Sequence, residues 1–119
     1  MIFYHNTDTS VPIAELKVDT VTISSAEDML DIIGDVSYTG CSRLIIHAGS
    51  LSGEFFDLRT GVAGEILQKF SNYRIRLAVV GDFSNLTSRS WRDFIRESNR
   101  GKSVCFMSSV DEAVSALIK

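Results

Sequence analysis

One proline, two cysteines and the lack of any apolar run near the roughly 20 residues that cross a bilayer are the first things the sequence withholds. Each shortage removes a class of protein. The cysteines, Cys41 and Cys105, lie far apart beside apolar segments and form no closely spaced ligand pair, so they read as buried free thiols and not as a metal or disulfide framework. Met1 to Asn6 lack the basic start and apolar run of a secretory leader, which with the missing membrane span predicts a cytoplasmic protein. Positive charge is also short. Twelve Lys and Arg against fifteen Asp and Glu leave a net charge of −3, a poor match for a phosphate backbone, so general nucleic-acid binding is excluded. The local exception is Arg89, Arg92, Arg96 and Arg100, whose three- and four-residue steps would put a basic stripe on a helix, read here first as a solvated face. Neither G-x-G-x-x-G nor G-x-x-x-x-G-K-[ST] occurs, which removes the best support for dinucleotide or Walker-type nucleotide binding.

What is present is enough to fold. With 45% hydrophobic residues, 119 residues can bury a core as one domain spanning 1–119, without staples. Met1 to Tyr4 and Val11 to Val18 read as short strands joined by the polar segment 5–10 as a hairpin, with Pro12 at the start of its strand or on an edge. Ser24 and Glu27 have capping-box spacing ahead of Ala26, Met29, Leu30 and Ile33, a helix ending near Gly34 or soon after. Arg43 to His47 is short, continuous and apolar, as a central strand is. Thr60 to Asn72 places Val62, Ala63, Ile66, Leu67 and Phe70 on one helical face. Arg76 to Val80 is a second central strand. Ser88 can cap a helix carrying Trp91, Phe94 and Ile95, with Gly101 suited to a left-handed end. Ser103 to Met107 is the last strand, and Ser109 with Glu112 opens a closing helix. The order β-β-α-β-α-β-α-β-α predicts an α/β domain with a mixed, mostly parallel sheet covered by helices.

In such sheets ligands gather beyond the carboxyl ends of the strands, where loops converge and helix amino termini point N–H groups. That rule selects His47, Asp57, Arg59, Thr60, Gly61, Gly64 and Asp82 as the candidate ligand- or partner-binding set. Asp57, Arg59 and Thr60 offer a carboxylate, a guanidinium fork and a hydroxyl at a helix start. Gly61 and Gly64 leave that start uncovered, at about 1 kcal/mol each relative to alanine inside a helix. Either something must approach closely there, or the helix packs closely on the sheet. His47 can act as an acid, a base or a hydrogen-bonded structural group. Asp82 fits a loop cap. His5 is too remote in sequence to be paired with His47, so no metal site and no cofactor are expected. Serines 50, 52 and 84 could complete a triad on paper, but no G-x-S-x-G elbow supports one.

The run Phe55-Phe56-Asp57-Leu58-Arg59-Thr60-Gly61-Val62-Ala63-Gly64-Glu65-Ile66-Leu67-Gln68-Lys69-Phe70 resembles a bacterial family known as domain of unknown function 4180. The likeness continues through Ser71-Asn72-Tyr73-Arg74, Val80-Gly81-Asp82-Phe83, Gly40-Cys41, Ile45-Ile46-His47, Arg92-Asp93-Phe94-Ile95 and Glu97-Ser98-Asn99. It implies no activity. The element order also resembles that of STAS domains, the group of sulfate-transporter tails and anti-sigma-factor antagonists, in which a serine opening a helix is phosphorylated to switch partner binding. That resemblance sets Thr60 in the serine's place and implies modification there, although Arg59 and the spacing depart from the pattern.

The expected function is therefore a non-enzymatic, STAS-like regulatory or binding module contacting a protein partner or small anionic ligand through this set. The alternative is a small enzyme acting on an anionic substrate, with Arg59 holding it and His47 or Asp57 moving a proton. A third reading places a partner on the arginine helix. Self-association as a homodimer through an edge strand such as Met1 to Tyr4 is also expected.

Overall fold

Strands that alternate with helices must be joined by crossovers, and the hand of those crossovers dictates which face of the sheet each helix covers. The computed structural model describes residues 2–5, 11–18, 20, 22–101 and 103–118. The elements are β1 (Ile2–His5), β2 (Ile13–Leu16), α1 (Ala26–Tyr38), β3 (Arg43–His47), α2 (Val62–Asn72), β4 (Arg76–Val80), α3 (Arg89–Arg100), β5 (Val104–Met107) and α4 (Val110–Ile118), with single 3-10 turns at Ala48–Ser50 and Leu58–Thr60. They make one α/β domain. Its sheet has the order β1-β2-β3-β4-β5, with β1 antiparallel to β2 and the remaining pairs parallel.

Each of α1, α2 and α3 carries the chain one strand further in the same direction. A fixed right-handed crossover then sends all three to the same face. Their buried residues, Met29, Ile33 and Val36, Ala63, Ile66 and Phe70, and Trp91, share one core with Ala14, Leu16, Leu44, Ile46, Leu77 and Val79. α4 follows the last strand, escapes that constraint and takes the opposite face. There Ala113 and Leu117 pack on Ile13, Ile45, Ala78 and Val80. Arg43 and Arg76, from the beginnings of β3 and β4, donate to the last carbonyls of α4. The Arg76 bonds run 3.0 Å to Leu117 O and 3.2 Å to Ala116 O. Cations are favoured at that end of a helix.

The central strands and the start of α3 at Ser88 match the sequence reading, and several boundaries move. β1 includes His5, and β2 is confined to Ile13–Leu16 with Pro12 just before it; the 6–10 turn lies outside the described residues. α1 is capped by Ser25, whose Oγ accepts the Asp28 N–H at 3.3 Å, and not by Ser24. It runs past Gly34 to Tyr38 because Val36, fully buried, continues the apolar stripe. α2 starts at Val62, since Gly61 takes φ 78° and ends the preceding 3-10 turn. Gly101 is extended (φ −80°, ψ 178°) and not left-handed; the α3 terminus instead bonds its N–H to Ser98 O. Cys41 is a buried free thiol, whereas Cys105 is only half-buried; burial pushes its thiol up and the charge of Arg76 opposes that. Among the described residues no helix is long and apolar enough to cross a membrane.

β3 and β4 leave the sheet side by side, and Gly81 is where they touch. A Cβ built there would lie 2.7 Å from the Ala48 Cβ. Gly81→Ala is expected to destabilise the domain by about 1–3 kcal/mol, as overpacking does, measured by urea unfolding; a neutral effect would show that the two exits are not held together.

Candidate functional site

The segment leading into α2 is pinned before it reaches the site. Trp91 Nε1 donates to Phe56 O at 2.6 Å, and Phe55, Phe56 and Phe94 lie within 5.2–6.1 Å of the Trp91 ring. Asp57 then caps the short turn, accepting the Arg59 N–H at 3.1 Å, while the Arg59 guanidinium returns to grip the same carboxylate with two bonds of 2.9 Å. The fork holds the Asp57 carboxyl below, and the Arg59 guanidinium above, their ordinary values. Both are surface groups, Arg59 being 89% exposed, so the pair fixes shape more than it adds stability. The Thr60 hydroxyl, also exposed, is positioned to donate to Glu54 O (2.8 Å) or Asp57 O (2.9 Å) and accepts the Val62 N–H at 3.2 Å. Gly61 supplies the left-handed φ that joins turn to helix.

Gly64 behaves differently from an ordinary packing glycine. A Cβ there would meet nothing within 4 Å, so close approach to the sheet is not its reason. It borders two clefts. One, of about 710 Å³, lies between α1 and α2 and is lined by Ser25, Glu27, Leu30, Glu65, Gln68 and Lys69. The other, of about 300 Å³, lies between α2 and α3.

His47 and the turn do not share a face. Leu44 and Ile46 point into the core beneath α1, α2 and α3, so the alternation of β3 turns Ile45 and His47 to the α4 face. Leu58 packs on the other core, which puts the Asp57–Gly61 turn on the helix-rich side. Asp82 sits beyond β4, where the exposed carboxylate accepts the Ser84 N–H at 3.0 Å and is held below the usual range by the Ser84 side chain first and by that backbone N–H second. Of the seven residues selected from sequence, Asp57, Arg59, Thr60 and Gly61 share the turn that opens α2, and Gly64 follows in the first turn of that helix. His47 lies on the opposite face of the sheet, and Asp82 lies in the loop after β4.

His47 has instead a partner that the sequence reading passed over. Its Nε2 lies 2.6 Å from Glu15 Oε2, and Nε2 of His5 lies 2.6 Å from Glu15 Oε1. His5 and His47 are therefore joined through one carboxylate after all, contrary to the expectation that sequence distance separates them. Phe3 pairs with Glu15 and Glu15 with Ile45 across neighbouring strands, so β1, β2 and β3 each contribute one member on the α4 face. Glu15 is 1% exposed; the imidazoles, at 33% and 36%, shield it from water. Burial raises the Glu15 carboxyl, but the bonds from His47 and His5 and the charge of Lys17 outweigh it, and the net value falls below the ordinary one. An ionised carboxylate only accepts, so each Nε2 is the donor in its contact with Glu15. The available signal was an acidic residue inside an otherwise apolar strand, sharing the alternation of Ile13.

The arrangement is a hydrogen-bonded tie. Among the described residues no group of three or more His, Cys, Asp or Glu is placed to hold a metal ion. Ser50 Oγ donates to the His47 carbonyl at 2.7 Å and not to the imidazole, so it supplies no nucleophile to that ring. On α3, Arg89 and Arg96 pair with Asp93, and Arg100 with Glu97, which neutralises much of the basic stripe locally.

Fold and site together define a small α/β domain with a bis-histidine carboxylate on one face and a glycine-bordered turn on the other. The chain belongs to the family described as Domain of unknown function (DUF4180), whose model matches residues 8–117 and so includes Glu15, His47 and the whole 57–64 surface, with His5 just outside. Neither the curated proteins nor the solved structures gave a match.

His47→Ala is expected to cost about 1–3 kcal/mol in urea unfolding near neutral pH, because one buried carboxylate oxygen loses its donor, and adding Glu15→Gln should recover part of that loss. The pH dependence has a definite sign. A carboxyl lowered on folding stabilises fully above its unfolded value of about 4.3 and loses that contribution as pH falls through the lower folded value. Glu15→Gln should therefore flatten the acid limb of the stability profile; an unchanged acid limb would mean that Glu15 is not the group titrating there.

Proposed function

We propose that this chain is a non-enzymatic, STAS-like regulatory or binding module that receives a protein partner or small anion on the surface formed by Asp57, Arg59, Thr60, Gly61 and Gly64 and the adjoining α1–α2 cleft. The observation that carries the reading is the open space over Gly64. A glycine within a helix is unfavourable by about 1 kcal/mol relative to alanine, and nothing in the domain's own packing calls for it. A bare backbone beside a cleft leaves room that an approaching molecule can use.

The turn is suited to recognising negative charge. Arg59 is exposed and already oriented by Asp57, and its fork can be transferred to an incoming carboxylate or phosphate. A phosphate on the Thr60 hydroxyl would abandon its carbonyl acceptors, meet the Asp57 carboxylate unfavourably and draw Arg59 across, converting a closed turn into an anionic knob. That is the kind of local charge change that switches partner binding. The small-enzyme reading rests on the Glu15–His47 contact, a carboxylate orienting an imidazole. It is the weaker one, because that imidazole lies on the face away from Arg59.

Gly64→Ala should raise stability by up to about 1 kcal/mol in thermal or urea unfolding, the helix-propensity difference, while weakening binding at this surface. Quantitative pull-downs from the native host and a metabolite-binding screen, run with wild type, Arg59→Ala and Gly64→Trp, should show a signal that both folded variants lose. A signal that every folded variant keeps would remove the proposed surface.

A further inference from the structure

The two edges of the sheet are built differently, and the difference selects a partner. β5 is closed along its outer side by a side chain. The Phe106 N–H donates to Asn99 Oδ1 at 2.7 Å, and Asn99 Nδ2 donates back to Phe106 O at 3.4 Å, so the middle of that edge already has its hydrogen bonds. Among the described residues no side chain closes β1 in this way and no strand lies beyond it. Phe3 and Tyr4 remain 44% and 39% exposed. An open edge presents unpaired backbone groups to any strand that can reach it, and covering or capping is the usual protection.

We propose that the outer edge of β1 pairs antiparallel with β1 of a second copy of this chain, extending the five-stranded sheet across a two-fold axis. Three observations favour a second copy over another occupant. An antiparallel strand pair is self-complementary, so one patch serves both sides, as a two-fold interface requires. Ile2, Phe3 and Tyr4 are uncharged, so aligning the strand with itself sets no like charges opposite one another; the neighbouring ammonium of Lys17 sits 4.9 Å from the Phe3 ring centre, where a cation is favoured. Asn99 blocks the competing head-to-tail union of β1 with β5, which would continue without limit. The assembly therefore closes at two chains.

The pleat narrows the register. A two-fold axis normal to the sheet keeps each face with itself, so a residue pairs only with one of the same face. Among the registers that satisfy this, those setting Phe3 opposite the second copy's Phe3 or Tyr4 opposite the second copy's Tyr4 are favoured, because each makes an aromatic cross-strand pair of the kind that stabilises sheets. Pairing Phe3 with the second copy's Tyr4 is excluded because their side chains point to opposite faces.

Sedimentation velocity of the full chain over a concentration series should show a monomer–dimer equilibrium with no larger species. Phe3→Lys and Tyr4→Lys, checked for native circular dichroism, should remain monomeric at concentrations where wild type is dimeric. Phe3→Cys and Tyr4→Cys provide a second readout that keeps the strand intact: on mild oxidation at least one should form a covalent dimer that wild type, with Cys41 and Cys105, does not. A wild-type mass that stays monomeric up to ~1 mM, the weak limit of specific association, would overturn the proposal. So would a dimer that survives both lysine substitutions or that neither cysteine cross-links.

Discussion

A crossover between neighbouring parallel strands has one hand, and in this domain that constraint decides which groups can meet. Because β2 to β5 advance across the sheet without reversing, α1, α2 and α3 all fall on one face, and α4, tied to no further strand, covers part of the other. The side chain that ends β3 then looks away from the helix that β3 leads into. His47 and Arg59 are twelve residues apart and belong to consecutive segments, yet the sheet stands between their side chains.

The same layout creates the polar tie. On the face that α4 only partly covers, Glu15 would be an isolated buried charge, which costs several kcal/mol. Two imidazoles arriving from the flanking strands satisfy both oxygens and hold the carboxyl ionised. In return the carboxylate links the antiparallel edge strand to the second parallel strand, so that β1 is held by a side-chain anchor as well as by its ladder with β2. Arg43 and Arg76 play a comparable part at the other end of that face, fastening the closing turn of α4 to the strand beginnings. Charged and polar side chains thus add to the apolar contacts of α4 on that face, whereas the other face is held by the apolar packing of three helices.

Most of the architecture was legible because it is written in local pattern. The continuous apolar runs at Arg43–His47 and Arg76–Val80 and the Ser88 cap need only neighbouring residues to be recognised. The turn at 57–61 was legible for the same reason: Asp57, Arg59 and Thr60 find their partners within six residues. The ends of two helices were read less well. Gly34 does not end α1, because the stripe continues to Val36, and Gly101 keeps an extended backbone although its residue type permits a left-handed one.

The sequence by itself determined the element order, the mixed and mostly parallel character of the sheet, and a family whose model spans residues 8–117. Periodicity and turn chemistry act over a few residues and survive any arrangement of the whole. Only the tertiary structure decided that the strands lie in simple sequential order, that Glu15 joins His5 to His47, that Gly64 faces open space, and that one sheet edge is closed by Asn99 while no described residue extends the sheet beyond the other. Those features depend on which strand lies beside which and on which face a side chain emerges; a one-residue change of register in β2 alone would turn Glu15 away from both imidazoles.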